Sequence, residues 1–149
     1  MKILSIIFLT LINSKISFSN NIETEELLNK INLPDGFKIS IYANNIENAR
    51  SMSISPLGTV FVGNRKADNV FALKDIDGDG KVDKKYLITD KLKNMPNGVS
   101  YHKGDLYVAE VNKIWLFKDV EDNLKKYDEV GFYPEDPILI SDEFPSCLL

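Results

Sequence analysis

Four aspartates in one short stretch offer the densest chemistry in this chain. Asp75, Asp77, Asp79 and Asp83 read Asp-x-Asp-x-Asp-Gly-x-x-Asp, with Gly80 at the sixth place. Carboxylates at loop positions 1, 3, 5 and 9 can converge on a hard cation such as Ca²⁺, and glycine permits the sharp turn this needs. The pattern is that of an EF-hand loop without its closing bidentate glutamate, because Tyr86 occupies the twelfth place. Its flanks read as strands, not helices. Two readings stand: weak calcium binding, or a solvated hairpin turn built on Asp-Gly chemistry.

Other reactive residue types are sparse. His102 is the one histidine and sits beside Lys103 and Gly104, a turn composition. A general base needs reach to its proton and an orienting partner, and no such set surrounds it. Cys147 is the one cysteine, so no internal disulfide exists. No Ser-His-Asp order, CxxC pair, phosphate-binding loop or dinucleotide fingerprint is present. The composition assigns no catalytic residue.

The 149 residues fit one ordinary domain, with 44% hydrophobic residues for a core and a net charge of −4. Lysines lie scattered among acids, as Lys81, Lys84 and Lys85 do beside Asp79 and Asp83. Phosphate neutralisation needs grouped cations, so nucleic acid is excluded as a partner. Lys2, the apolar run Ile3 to Ile12 and Ser17-Phe18-Ser19 read as a secretory signal over residues 1–19. The run is too short for a bilayer-spanning helix, so no stable membrane span is expected, and the location is periplasmic or secreted. An uncleaved anchor is the alternative.

Residues 20–32 read as a linker or short helix, with Glu23 to Leu28 able to form about two turns. From Gly36 onward short runs rich in Val, Ile, Phe and Tyr are broken by Gly, Pro, Asn and Asp. That is strand-and-turn grammar. It predicts strands over 37–42, 51–55, 59–63, 69–74, 85–89, 98–102, 105–111, 113–118 and 124–129, and one more at 137–140. Pro56-Leu57-Gly58 and His102-Lys103-Gly104 close hairpins.

The strands repeat. Gly58-Thr59-Val60-Phe61-Val62-Gly63 matches Gly104-Asp105-Leu106-Tyr107-Val108-Ala109 at an offset of 46 residues. Asn69 to Asp75 matches Asn112 to Lys118 at an offset of 43. Four short strands in about 45 residues is the size of a propeller blade. Val60-Phe61-Val62 and Ile114-Trp115-Leu116-Phe117 are continuous apolar runs, as strands covered on both faces require. The fold class is therefore all-β: a partial β-propeller of about two four-stranded antiparallel blades, within residues 33–149. A ring needs typically four to eight blades. The third inner strand is due near residue 143, where the sequence ends in Ser146-Cys147-Leu148-Leu149.

Several segments, in order, resemble one family. Leu33-Pro34-Asp35-Gly36-Phe37 is similar to its mature N-terminus. Ala49-Arg50-Ser51-Met52 and Ser55 to Val62 resemble its first blade, and Val70 to Leu73 with Asp75 to Asp83 its first outer hairpin. Pro96-Asn97-Gly98-Val99 and Gly104 to Glu110 resemble its second blade. Pro137 to Ile140 and Phe144-Pro145-Ser146 resemble the lead into its third. The family is that of sorbosone and glucose dehydrogenases dependent on pyrroloquinoline quinone (PQQ).

The resemblance implies a six-bladed propeller with PQQ and Ca²⁺ on its top face, oxidising a sugar or polyol and passing electrons to an acceptor not identifiable from this chain. Arg50 and Asn97 precede the inner strands of the two blades. By resemblance they line the cofactor or substrate pocket, the alternative being ordinary surface residues. Glu110 and Arg65 follow inner hairpins and make weaker candidates. The family's general-base histidine opens the third blade, and no histidine follows Ser146 here. The resemblance thus implies the N-terminal portion of such an enzyme, inactive alone. The alternative is a non-enzymatic binding propeller of the NHL or TolB-like kind.

Overall fold

The computed structural model describes residues 26–142. The signal-sequence reading, Cys147 and the Phe144-Pro145-Ser146 stretch lie outside the described residues. The described residues divide into two units, with the boundary between Ile41 and Tyr42.

In the first unit a helical turn at 26–28 leads into an irregular path. Gly36 takes φ 86°, and the Phe37 N–H donates to the Pro34 carbonyl at 3.2 Å, closing a turn. The strand expected over 37–42 does not form among the described residues. Extended backbone becomes a strand only where a sheet edge takes up its polar groups. Here Phe37 stays 69% exposed.

The second unit holds two antiparallel meanders. The first comprises β1 (Ala49–Ile54), β2 (Val60–Asn64), β3 (Val70–Lys74) and β4 (Lys84–Thr89), side by side in that order. The second comprises β5 (Gly98–His102), β6 (Asp105–Ala109), β7 (Ile114–Phe117) and β8 (Ile138–Ser141), again in sequence order. The all-β reading and its two four-stranded antiparallel sheets hold. Gly58 at φ 82° supports the β1–β2 turn, and Lys103 and Gly104 at φ 49° and 99° form a tight two-residue hairpin turn between β5 and β6.

The sheets pack face to face in the manner of successive propeller blades. Register places Phe61, Ala72 and Tyr86 on one face of the first sheet. Val99 pairs with Val108, Tyr101 with Leu106, and Leu106 with Phe117 on the facing side of the second. These side chains share one core, in which Phe61 stacks on Tyr101 with ring centroids 5.8 Å apart. Burying each large apolar side chain contributes about 1.5–3 kcal/mol. The first strands meet directly: the Tyr101 N–H donates to Ser53 Oγ at 2.8 Å and the Val99 N–H to Ser51 Oγ at 3.4 Å. In β2, Phe61 and Val62 are buried, whereas Ile114 and Leu116 of β7 stay half-buried.

One element departs from the expected pattern. Residues 124–129 are not a strand but part of helix α1 (Val120–Val130), inserted between β7 and β8. Val120, Leu124 and Tyr127 recur at helical spacing, and Glu121 and Asp122 sit in the first turn, where acidic charge is favoured. Gly131 ends the helix at φ 81°, its N–H donating to the Tyr127 carbonyl at 2.7 Å. The fourth strand is the one predicted at 137–140. Among the described residues no helix is long and apolar enough to cross a membrane.

Candidate functional site

Antiparallel order sorts the candidate residues to two ends of the sheets. β1, β3, β5 and β7 begin at one end, where β2, β4 and β6 finish. Arg50, near the start of β1, and Asn97, just before β5, therefore share that end. So do Arg65, just after β2, and Glu110, just after β6. The Asp75–Asp83 loop joins β3 to β4 at the opposite end, where His102, the last residue of β5, also lies.

At the first end a cavity of about 460 Å³ is lined by Arg50, Arg65, Met95, Asn97, Glu110 and Val111, among others. Sequence reasoning named all four of its charged and amide residues separately, and the fold brings them together. The crossover into β5 is set by close packing. A Cβ on Gly63 would lie 2.6 Å from the Pro96 carbonyl oxygen and 2.7 Å from that of Asn97, so only glycine lets β2 pass beneath it. The Asn64 N–H donates to the same Pro96 oxygen at 2.9 Å.

Glu110 fastens this crossover to the β6–β7 turn. Its Oε1 accepts from the Asn94 N–H and its Oε2 from the Trp115 indole N–H, each at 2.7 Å. The Val111 N–H donates to the Asn94 carbonyl at 3.1 Å. Both oxygens of Glu110 are thus engaged. Among the described residues neither Arg50 nor Arg65 joins an ion pair. The residues are chemically suited to carboxylate-bearing ligands, since a guanidinium meets such groups with two parallel hydrogen bonds.

At the other end Asp75, Asp77 and Asp83 bring carboxylate oxygens within 4.8 Å of one another, without Asp79. Each aspartate also accepts from the loop backbone. Asp75 takes the Gly78 and Gly80 N–H groups at 2.7 and 2.9 Å, and Asp83 takes that of Ile76 at 2.7 Å. Asp77 takes that of Asp79 at 3.1 Å, and Asp79 that of Lys81 at 2.8 Å. Tyr86 is buried in β4, its hydroxyl donating to Asp128 at 3.2 Å, so it closes no metal shell. Burial, then the charge of Asp75, raises the Tyr42 phenol above its ordinary value.

Sequence reasoning missed a second polar cluster at this end. Glu121 of α1 is buried. Ser55 Oγ donates to its Oε1 at 2.5 Å, and the Lys74 ammonium lies 3.1 Å from its Oε2. Burial pulls this carboxyl upward, but the hydroxyls of Ser55 and Thr59 and the Lys74 ammonium outweigh it and hold the group below its ordinary value. Asp128, further along α1, meets Lys84 at 2.6 Å, and Tyr127 stands edge-on to Tyr86 with centroids 5.2 Å apart. The helix thus straps the second sheet to the first. Partners 66 positions apart leave no local signal to read.

Comparison with known proteins places these features. An uncharacterized protein of Borreliella burgdorferi is 31% identical over 109 residues, covering 72% of this chain. The chain spans about 27% of that curated relative's length. No solved structure matches. The family described as "Domain of unknown function (DUF7133)" matches residues 23–131, from the first unit through β7 and α1. That match runs across most of the chain, and the chain belongs to the DUF7133 family.

Proposed function

We propose that this chain supplies the opening blades of an exported PQQ- and Ca²⁺-dependent dehydrogenase acting on sugars or related polyols. The single observation that carries the reading is the convergence of Arg50, Asn97 and Arg65 on one cavity at the end where both inner strands begin. The Borreliella relative is several times longer than the matched region, so further blades have room in a protein of this kind. Arg50 and Asn97 form part of the wall where cofactor and substrate meet. PQQ, when bound, supplies the electron sink, while these side chains bind and orient.

Calcium belongs to the same reading in two places. The catalytic ion is held by other blades. A weakly held ion at Asp75, Asp77 and Asp83 is supported by their convergence.

The test is reconstitution. The Borreliella relative, expressed at full length, is mixed with PQQ and Ca²⁺ and assayed for sugar-dependent dye reduction. Turnover supports the reading, and absence of both PQQ uptake and turnover removes it. A second reading, a binding propeller without catalysis, is favoured by one observation. The carboxylate at the cavity, Glu110, has both oxygens engaged, and His102 lies at the far end, so no described side chain there is placed as a general base.

A further inference from the structure

The chain contains 18 cationic side chains but only two arginines, Arg50 and Arg65, and both line the same cavity. No lysine lines it. The described lysines lie elsewhere, and several are paired with surface acids. Arginine is the residue for planar, two-pronged recognition of carboxylate and phosphate, a role that lysine fills poorly. The two arginines share the lining with one carboxylate, Glu110, which is already engaged by the Asn94 N–H and the Trp115 indole. Among the described residues the cavity therefore carries positive charge with no ion-pair partner, in a chain whose net charge is −4.

The remaining wall is aliphatic or small: Met95, Gly98, Ala109 and Val111. Among the described residues no aromatic ring lines it to stack on a flat heterocycle. A volume of about 460 Å³ suits a small ligand. We propose that Arg50 and Arg65 together grip the carboxylate or phosphate of an acidic sugar, with Asn97 beside them, so that the substrate class is sugar acids or sugar phosphates and not neutral sugars. This rests on the reading of the cavity as a substrate pocket. It goes beyond it by assigning Arg65 a binding role and by making the charge, not the quinone, the reason for the arginine pair.

The experiment is calorimetric titration of the chain with gluconate, glucose 6-phosphate and glucose. Gluconate or glucose 6-phosphate is expected to bind, with glucose weaker by roughly tenfold or more, as a charged hydrogen-bond pair demands. The two acidic probes separate carboxylate from phosphate. Arg50→Gln and Arg65→Gln are each expected to weaken the acid by roughly tenfold. Arg50→Lys and Arg65→Lys keep the charge and serve where a Gln variant fails to fold by circular dichroism. They are expected to bind more weakly than the wild-type chain, because the paired geometry is lost. Glucose binding as tightly as gluconate, or acid binding surviving in the double Gln variant, overturns the proposal.

A PQQ arm keeps the two readings apart. If PQQ binds and displaces gluconate through the same arginines, the anion held there is the cofactor's; the acidic-substrate proposal then falls while the dehydrogenase reading stands. If gluconate binds and PQQ does not, the acid site stands by itself, and the quinone reading is decided by the full-length reconstitution.

Discussion

Ser55 and Glu121 sit 66 positions apart, yet the serine hydroxyl donates to the glutamate carboxylate at 2.5 Å, joining the β1–β2 turn of one sheet to the helix of the other. Lys74 completes the contact from β3. Removing Glu121 leaves a part-buried ammonium without its partner. Glu121→Ala is expected to destabilise the chain by about 2 kcal/mol, below the range for fully buried pairs because Lys74 keeps some solvent contact. Urea denaturation of the variant beside the wild-type chain checks this.

The same cluster sets an acid limit. The folded carboxyl of Glu121 lies below its ordinary value of 4.5. A depressed acid contributes stability that is complete above its unfolded value and is lost as pH falls through the folded one. Asp128 acts in the same direction, held down first by the hydrogen bond from Lys84. The melting temperature is expected to hold steady above the ordinary carboxylate range and to fall below it. In Glu121→Gln that fall is shallower. Thermal melts across a pH series read both slopes.

Gly63 makes a sharper test of the crossover. A methyl group there meets two carbonyl oxygens at under 3 Å. Gly63→Ala is expected to cost about 1–3 kcal/mol and to displace the segment bearing Asn97. A melting-temperature drop together with shifted amide resonances for Asn94, Met95, Asn97 and Gly98 is the expected signature. Gly58→Ala strains only a solvent-facing turn and leaves those resonances in place.

The aspartate loop gives a calcium prediction. Ca²⁺ at millimolar concentration is expected to raise the melting temperature by about one or two degrees, as a weakly bound ion does by mass action. Asp77→Asn, which removes one of the three converging carboxylates, abolishes the shift. Isothermal titration with Mg²⁺ as the control separates site binding from charge screening.

The outer edge of the second sheet is apolar. Ile138 and Ile140 of β8 are about half exposed, at 48% and 50%. Among the described residues no further strand pairs with β8, and an unpaired edge templates pairing with another strand. The chain is expected to self-associate as concentration rises, and Ile140→Lys to suppress it. Sedimentation velocity over a dilution series reports the outcome.

Most of this fold was readable because its information is local. Gly58, Lys103-Gly104 and the Asp-Gly loop set turns within a few residues, and the apolar runs between them became β1 to β7 within a residue or two. Helix α1 was missed because a repeat template demanded a fourth strand at once, and the apolar residues 120, 124 and 127 were read without their helical spacing. The segment at 37–42 has the alternation of a strand but finds no sheet edge among the described residues. Arg50 and Asn97 could be placed from strand direction alone. Their union with Arg65 depended on how the second sheet lies against the first.

The arginine cavity and the helix strap occupy opposite ends of the same strands. Substitutions at the cavity rim therefore leave untouched the contacts of Ser55, Lys74 and Lys84 with the helix that tie the two sheets together at the other end.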